Sequence, residues 1–297
     1  MDLGFNVNIS SNMRLSNIYN QDQLIYSFEV FPPKTKEGID NLLSELQKLK
    51  KFDPAFISVT YGAGGSTQGR SLQVISRIAL ELNIPVMPHF TCIGSTEESI
   101  LYFMKVIEEL KIDNILALRG DPPDGKQFIE TADNTFQYAN ELVAFLKKHT
   151  NMDIGVAGYP EIHPEALSLE KDLNNLKKKT DAGASVIITQ LFFNNQHFFS
   201  FIEKAKEIGI TIPIVPGIMP LTNLDRIDKI VQLSGAEIPQ ELRTQLEANK
   251  DNPENVKNIG ISFAVNQIKE LIEYGVPGIH FYTMNKSEIA ERVLSQI

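Results

Sequence analysis

The sequence has little of several things that define other protein classes. It holds a single cysteine, Cys92, in 297 residues, so no intrachain disulfide and no CxxC redox or metal motif can form. No run reaches the ~18 consecutive apolar residues of a membrane-spanning helix. The first twenty residues lack the basic-then-apolar order of a secretory signal. Cations are scarce: 28 Lys and Arg against 37 Asp and Glu give a net charge of −9. That balance argues against nucleic acid or an anionic membrane as the main partner. A reducing cytoplasm is the expected compartment. What is present is ordinary globular material, with 42% apolar and 22% charged residues, enough for a large core and against wholesale disorder. At ~150 residues per domain two domains would fit, but so would one α/β barrel of ~250 residues. No composition break or Ser/Gly linker divides the chain. We therefore expect one domain over 1–297, with 1–22 as a leading arm or helix.

Short apolar runs alternate with longer stretches of helical period. The runs fall at 24–31, 56–61, 85–92, 114–121, 153–159, 185–193, 213–219 and 278–285. Each is rich in β-branched or aromatic residues and ends near Gly, Pro or a polar cluster, as strands buried on both faces do. Between them, apolar residues recur every three or four positions, as in Ile39, Leu42, Leu43, Leu46 and Leu49. Others are Ile100, Phe103, Met104, Ile107 and Leu110. Each set is one stripe facing a sheet. Ser95 and Glu98 have capping-box spacing ahead of the second of these helices.

Residues near the strand ends, Glu29, Thr60, His89, Arg119, Tyr159, Gln190, Met219 and Tyr282, are spaced by 31, 29, 30, 40, 31, 29 and 63. A βα unit needs ~30 residues. Eight units fit with two insertions, the longer carrying helical patterns near 227–233, 242–248 and 259–272. The expected fold is a (β/α)8 TIM barrel with extra helices between strands seven and eight, the alternative being an open doubly wound sheet.

Two nucleotide-like motifs fail on inspection. Gly62-Ala-Gly-Gly-Ser-Thr follows a strand, but Thr67 stands where GxGxxG needs its third glycine. Gly120-Asp-Pro-Pro-Asp-Gly-Lys-Gln resembles a P-loop, but Gln127 replaces the magnesium-binding hydroxyl, two prolines remove N–H donors, and Asp121 and Asp124 would repel phosphate.

A barrel carries its active site at the C-terminal ends of its strands. Glu29 on strand one is a carboxylate in an apolar run, for which burial predicts a raised pKa and a general-acid role. Pairing or solvation of a structural residue is the alternative. Strand four ends in Arg119-Gly120-Asp121, an ion pair at a turn or a functional cluster. His89 on strand three reads as a core or a functional histidine. Gln190 on strand six is a buried anchor or a reader of a planar heterocycle. His280, His149 and His197 are read as structural. After strand five, Asp172, Asn175 and Lys179 share one polar helix face, apart from the stripe Leu169, Leu173, Leu176. Spacing alone fits a solvated face as well as a strip for a nucleotide tail. Glu29, His89, Asp121 and His163 could converge on a metal, but no HExxH or HxH pair supports it.

Taken together, these residues resemble the methylenetetrahydrofolate reductase family, in its bacterial form with the catalytic domain only. The resemblance runs from Leu24 to the C-terminus. It rests on SFEVFPPK at 27–34, FISVTYGAGG at 56–65, PHFTC at 88–92, LALRGDPP at 116–123, YPEIHPEA at 159–166, ITQLFF at 188–193, VPGIMP at 215–220 and HFYTMN at 280–285. It implies an often oligomeric flavoenzyme with non-covalent FAD. NADH or NADPH would reduce the flavin and leave. 5,10-Methylenetetrahydrofolate would then take the hydride in a ping-pong cycle, becoming 5-methyltetrahydrofolate. By the resemblance, Glu29 is the general acid at N10. Asp121 is the carboxylate beside pterin and flavin, favouring a cationic iminium. The FAD positions would be Tyr61, Ala63, His89, Arg119, Gly120, Asp121, Tyr159, His163, Asp172, Asn175, Lys178 and Lys179. Thr60, Asp121, Gln190, Arg226 and Lys286 would face the nicotinamide or folate.

The chain departs from the family pattern in the short loop 125–133, which lacks a tyrosine near Ala132. It departs again at Arg226 and Ile230, which replace a glutamine and a phenylalanine that help hold folate or nicotinamide. With the chain stopping at 297, no regulatory S-adenosylmethionine-binding domain is expected. Two rival readings remain from the residues themselves: a metal-dependent barrel lyase or hydrolase, and a catalytically silent flavin- or folate-binding protein.

Overall fold

A computed structural model describes residues 14–19, 23–61, 68–120, 136–224 and 227–297. Eight parallel strands close into a barrel in sequence order. They are β1 (Ile25–Val30), β2 (Phe56–Val59), β3 (Val86–Thr91), β4 (Asn114–Leu118), β5 (Asp153–Gly158), β6 (Val186–Leu191), β7 (Ile214–Ile218) and β8 (Gly278–Tyr282). β8 pairs back onto β1, which excludes the open sheet. Every strand lies inside an apolar run read from the sequence. The helices follow in order: α1 (Leu15–Ile18), α2 (Lys36–Leu49), α3 (Gln68–Arg77), α4 (Glu97–Glu109), α5 (Ala139–His149) and α6 (Leu169–Asp181), then α7 (Asn195–Glu207), α8 (Ile227–Ser234), α9 (Gln240–Ala248), α10 (Pro253–Tyr274) and α11 (Ser287–Leu294). α8 and α9 are the extra helices placed between the last two strands. Among the described residues, no helix is long and apolar enough to cross a membrane.

Strand alternation sorts the core into layers. Phe28, Val30, Ile57, Val59, Phe90, Ile115, Ile154 and Ile187 pack outward, with the helix stripes. Ile25, Phe56, Met87, Leu116, Val186, Ile188 and Val215 form a separate inner cluster with Leu15, Ile18 and Tyr19. The leading helix α1 thus joins the inner packing of the barrel. It is tied in by buried polar groups at the starts of β4 and β5: Leu15 N donates to Asn114 Oδ1 at 2.9 Å and Ser16 N to Asp153 Oδ2 at 2.7 Å. These side chains satisfy two N–H groups that a helix start leaves without partners.

The cap of α4 differs from the sequence expectation. Thr96 is the N-cap: its Oγ1 accepts from Ser99 N, while Ser99 Oγ accepts from Thr96 N. Ser95 instead donates its hydroxyl to Thr91 O at 2.9 Å. At Gly260 on α10, a Cβ would lie 1.7 Å from Leu221 O, so only glycine lets α10 approach the chain leaving β7.

Candidate active site

The register of β1 against β8 places Ser27 beside His280 and Glu29 beside Tyr282. All four have inward parity, so a polar column rises through the apolar barrel toward its C-terminal mouth. Ser27 and His280 are fully buried. Ser27 Oγ lies 2.7 Å from His280 Nδ1. His280 Nε2 lies 3.6 Å from Glu29 Oε2 and 3.4 Å from Ser58 Oγ. The carboxylate assigns the tautomer: Nε2 carries a proton toward Glu29, and Nδ1 accepts from the Ser27 hydroxyl. From β3, His89 brings Nε2 to 3.5 Å from the same Glu29 oxygen.

Burial raises the Glu29 carboxyl, but interaction with His280 and the charges of His89 and His280 together outweigh it, and the group ends below the ordinary carboxylate range. This corrects the raised pKa expected from an isolated carboxylate in an apolar strand. Burial pushes His89 down to about 4, against a partial opposing pull from Glu29. It is therefore uncharged at neutral pH, which leaves His280 as the main restraint on Glu29 there. Strand position alone reads His280 as structural. The geometry instead puts it in contact range of the one mouth carboxylate on β1.

Across the mouth, Tyr282 donates its hydroxyl to Thr189 O at 2.7 Å. Gly217 makes room for it: a Cβ there would lie 2.2 Å from Thr189 O and 2.6 Å from the Tyr282 ring. Burial, then the charges of Glu29 and Tyr159, hold the Tyr282 phenol well above its ordinary pKa, so it stays a donor. Gln190, the next-to-last residue of β6, accepts through its Oε1 from Leu191 N at 2.9 Å. Thr60 follows β2, its carbonyl accepting from Ser71 Oγ. Lys286 is exposed at the start of α11.

A second group lies between β4, β5 and α6. Arg119 Nη1 pairs with Glu165 at 2.6 Å. The Tyr159 and His163 rings meet edge to face, centroids 4.5 Å apart. Asp172 Oδ2 accepts from His163 N at 2.9 Å. Lys179 donates to Ala157 O at 2.6 Å, and burial, partly countered by Asp172, lowers its pKa to about 8. Lys178 stands 3.5 Å from Asn175 Oδ1, and both are exposed. The polar strip of α6 is therefore anchored to the barrel at Asp172 and Lys179 rather than simply solvated. Gly120 adopts φ +82°, and a Cβ there would strike Thr91 at 2.7 Å.

Tyr61 lies apart from these. It is two residues beyond Val59, with outward parity, and its ring packs on Phe90 and Phe103 at 4.9 and 5.5 Å. Its main chain is what remains for a ligand at the mouth. Ala63, Asp121, Arg226 and the loop 125–133 lie outside the described residues. Among those described, no group of three His, Cys, Asp or Glu side chains could hold a metal ion.

The sequence model of the family described as Methylenetetrahydrofolate reductase matches residues 14–297. The chain belongs to the methylenetetrahydrofolate reductase family. It is 37% identical to the 5,10-methylenetetrahydrofolate reductase of Escherichia coli K12 over 270 residues, covering 91% of this chain and 89% of that protein. It is 38% identical to Methylenetetrahydrofolate reductase (NADH) 1 of Arabidopsis thaliana, over 96% of this chain but 50% of the plant protein. The chain spans about half the length of the plant relatives it matches. The solved structure of an uncharacterised Clostridium thermocellum protein that binds two copies of 5-methyl-5,6,7,8-tetrahydrofolic acid shares the fold. Its TM-score is 0.63 at 17% identity, over 93% of this chain and 95% of that one.

Proposed function

We propose that this chain reduces 5,10-methylenetetrahydrofolate to 5-methyltetrahydrofolate, using NADH or NADPH and a bound FAD in a ping-pong cycle. The observation that carries the reading is Glu29, set against His89 and His280 at a barrel mouth in a chain of this family. The NADH in the plant relatives' names supports a pyridine nucleotide as donor.

The residues between β3 and α6 fit FAD. His89 Nε2, Thr91 Oγ1 and Arg119 Nε are buried and have no hydrogen-bond partner among the described residues. Arg119, Lys178 and Lys179 offer cations to a diphosphate, and Gly120 lets the backbone come close. His89, Tyr159 and His163 would line the ring side, and Asp172 and Asn175 the tail. FAD would supply the two-electron carrier that links the pyridine nucleotide to the folate.

The chain's own residues supply proton handling and orientation. Glu29 is the acid for N10 of the folate as its five-membered ring opens. In the open mouth its pKa is low. A ligand stacked over it expels water, which strengthens the burial contribution and lets Glu29 take up the proton it must deliver. His280, fixed by Ser27, aims that carboxyl. Gln190 spends its amide oxygen on Leu191 N, so its amide nitrogen is the group left to an acceptor on the pterin or nicotinamide. Asp121, by sequence position, favours the cationic iminium. Lys286 stands for the acidic tail of the folate.

The test is reconstitution. The purified chain should take up one FAD, absorb near ~450 nm, and convert methylenetetrahydrofolate to the methyl form with oxidation of NADH or NADPH. Colourless protein that refuses FAD would refute the reading.

A further inference from the structure

The loop from β5 to α6 carries Tyr159, His163 and Glu165, and its middle is strained. Ile162 adopts φ +72°, a left-handed conformation that a β-branched side chain disfavours. Such a conformation persists only where its surroundings hold it, and they come from two distant elements. Glu161, next to the strained residue, has a side chain only 11% exposed. Its Oε2 accepts from Glu237 N, in the connection between α8 and α9, at 2.8 Å. The same oxygen lies 3.2 Å from Nδ1 of His197 on α7. Gly235, two residues before Glu237, packs against the same loop, where a Cβ would meet Pro164 at 3.3 Å and the Ile162 carbonyl at 3.8 Å.

We propose that Glu161 and His197 form a clasp that fixes this loop in its cofactor-facing shape, making Glu161 a positioning residue. For the flavin part this rests on the function proposed above. The clasp lies outside the reacting groups. Glu161 ties the loop's back to α7 and to the α8–α9 connection. On the loop's other side, His163 N meets Asp172 and the Tyr159 ring packs on His163. Pinning Glu161 therefore sets where Tyr159 and His163 point. The charge environment agrees. Burial raises the Glu161 carboxyl and the Glu237 carboxylate adds to this, while the Glu237 amide and His197 draw it back. A buried carboxyl of this kind needs its partners to stay where it is.

The experiment compares wild type, Glu161→Ala, Glu161→Gln, His197→Ala and the Glu161→Ala/His197→Ala double variant. FAD affinity is read by flavin fluorescence on the apoprotein, and amide hydrogen exchange over 159–166 is read without flavin. Glu161→Ala, which loses the bond from Glu237 N, and His197→Ala, which loses the ion-pair contact with Glu161, should each weaken FAD about tenfold. Each should also speed exchange in 159–166. The double variant should be no worse than the worse single one, because both remove the same tie. Glu161→Gln should stay within about threefold of wild type, since its amide can still accept from Glu237 N. Wild-type exchange and affinity in both alanine variants, or losses that add in the double, would overturn the clasp. If the wild-type chain takes up no FAD, the flavin reading fails while exchange still decides the clasp. If Glu161→Ala fails to fold, the half-exposed His197 site carries the same comparison.

Discussion

Nε2 of His280 stands 3.6 Å from Oε2 of Glu29, and Nδ1 of the same ring lies 2.7 Å from the Ser27 hydroxyl. One buried imidazole thus joins a serine deep in the barrel to the carboxylate at its mouth, and it sets that carboxylate's ionisation.

Replacing His280 tests this link. In His280→Asn, burial remains and the largest opposing influence on Glu29 is gone, so the Glu29 pKa rises. The folate half-reaction needs the protonated acid and slows as pH rises through that pKa. Its falling limb should therefore move to higher pH, read as flavin reoxidation by methylenetetrahydrofolate across a pH series. Stability follows the same sign. A lowered carboxyl stabilises the fold above its unfolded pKa, and that stability is lost as pH falls through the folded pKa. In the variant the depression shrinks, so both this contribution and its loss at acid pH should be smaller than in wild type. Unmoved profiles would show that His280 does not govern Glu29.

Lys179 gives a second pH signature. Burial lowers it to about 8, so its positive charge fades as pH rises through that value. If it faces the FAD diphosphate, affinity should weaken above pH ~8 more than ionisation of the ligand explains, and Lys179→Met should flatten that dependence. Binding titrations between pH 6 and ~10 check it.

The α1 plug should matter for stability and not for ligands. Leu15 is fully buried in the inner cluster, so Leu15→Ala should cost ~2–5 kcal/mol. Asn114→Ala, which leaves Leu15 N without its acceptor, should cost ~1–3 kcal/mol. Denaturant melts measure both. FAD affinity of the folded variants should equal wild type.

Gly217→Ala should be destabilising by ~1–3 kcal/mol. The new methyl would press on Thr189 O and on the Tyr282 ring, breaking the Tyr282 hydroxyl's bond to the Thr189 carbonyl. Thermal unfolding together with the KM for folate reads this out, and both should worsen.

The fold was legible because parallel strands buried on both faces leave unbroken apolar runs, and all eight strands fall inside them. The helix stripes followed the same logic. Capping was harder: Ser95/Glu98 and Thr96/Ser99 both have the spacing, and only the structure shows Ser95 bonded to Thr91 instead. Glu29, His89, Gln190 and the α6 strip were visible from strand ends and helix period. His280 was not, because its partner Ser27 is 253 residues away and meets it only when β8 closes on β1. Parity was the available signal: His280 precedes Tyr282 by two and so faces inward with it. Parity also separates Tyr61 from the mouth, since it follows outward Val59. The direction of the Glu29 shift needed the two imidazoles, which no spacing reveals. Glu161 lies within the YPEIHPEA motif, but its clasp joins that loop to α7 and to the α8–α9 connection, which the sequence does not align.

Glu29→Gln, measured separately in the two half-reactions, tests the central claim most directly. The FAD-loaded variant should be bleached near ~450 nm by NADH or NADPH at close to the wild-type rate, because that half needs no acid. Its reoxidation by methylenetetrahydrofolate should slow by at least ~10²-fold, the range of a lost general acid. Equal loss in both halves, or reoxidation at the wild-type rate, would contradict Glu29 as the folate's proton donor.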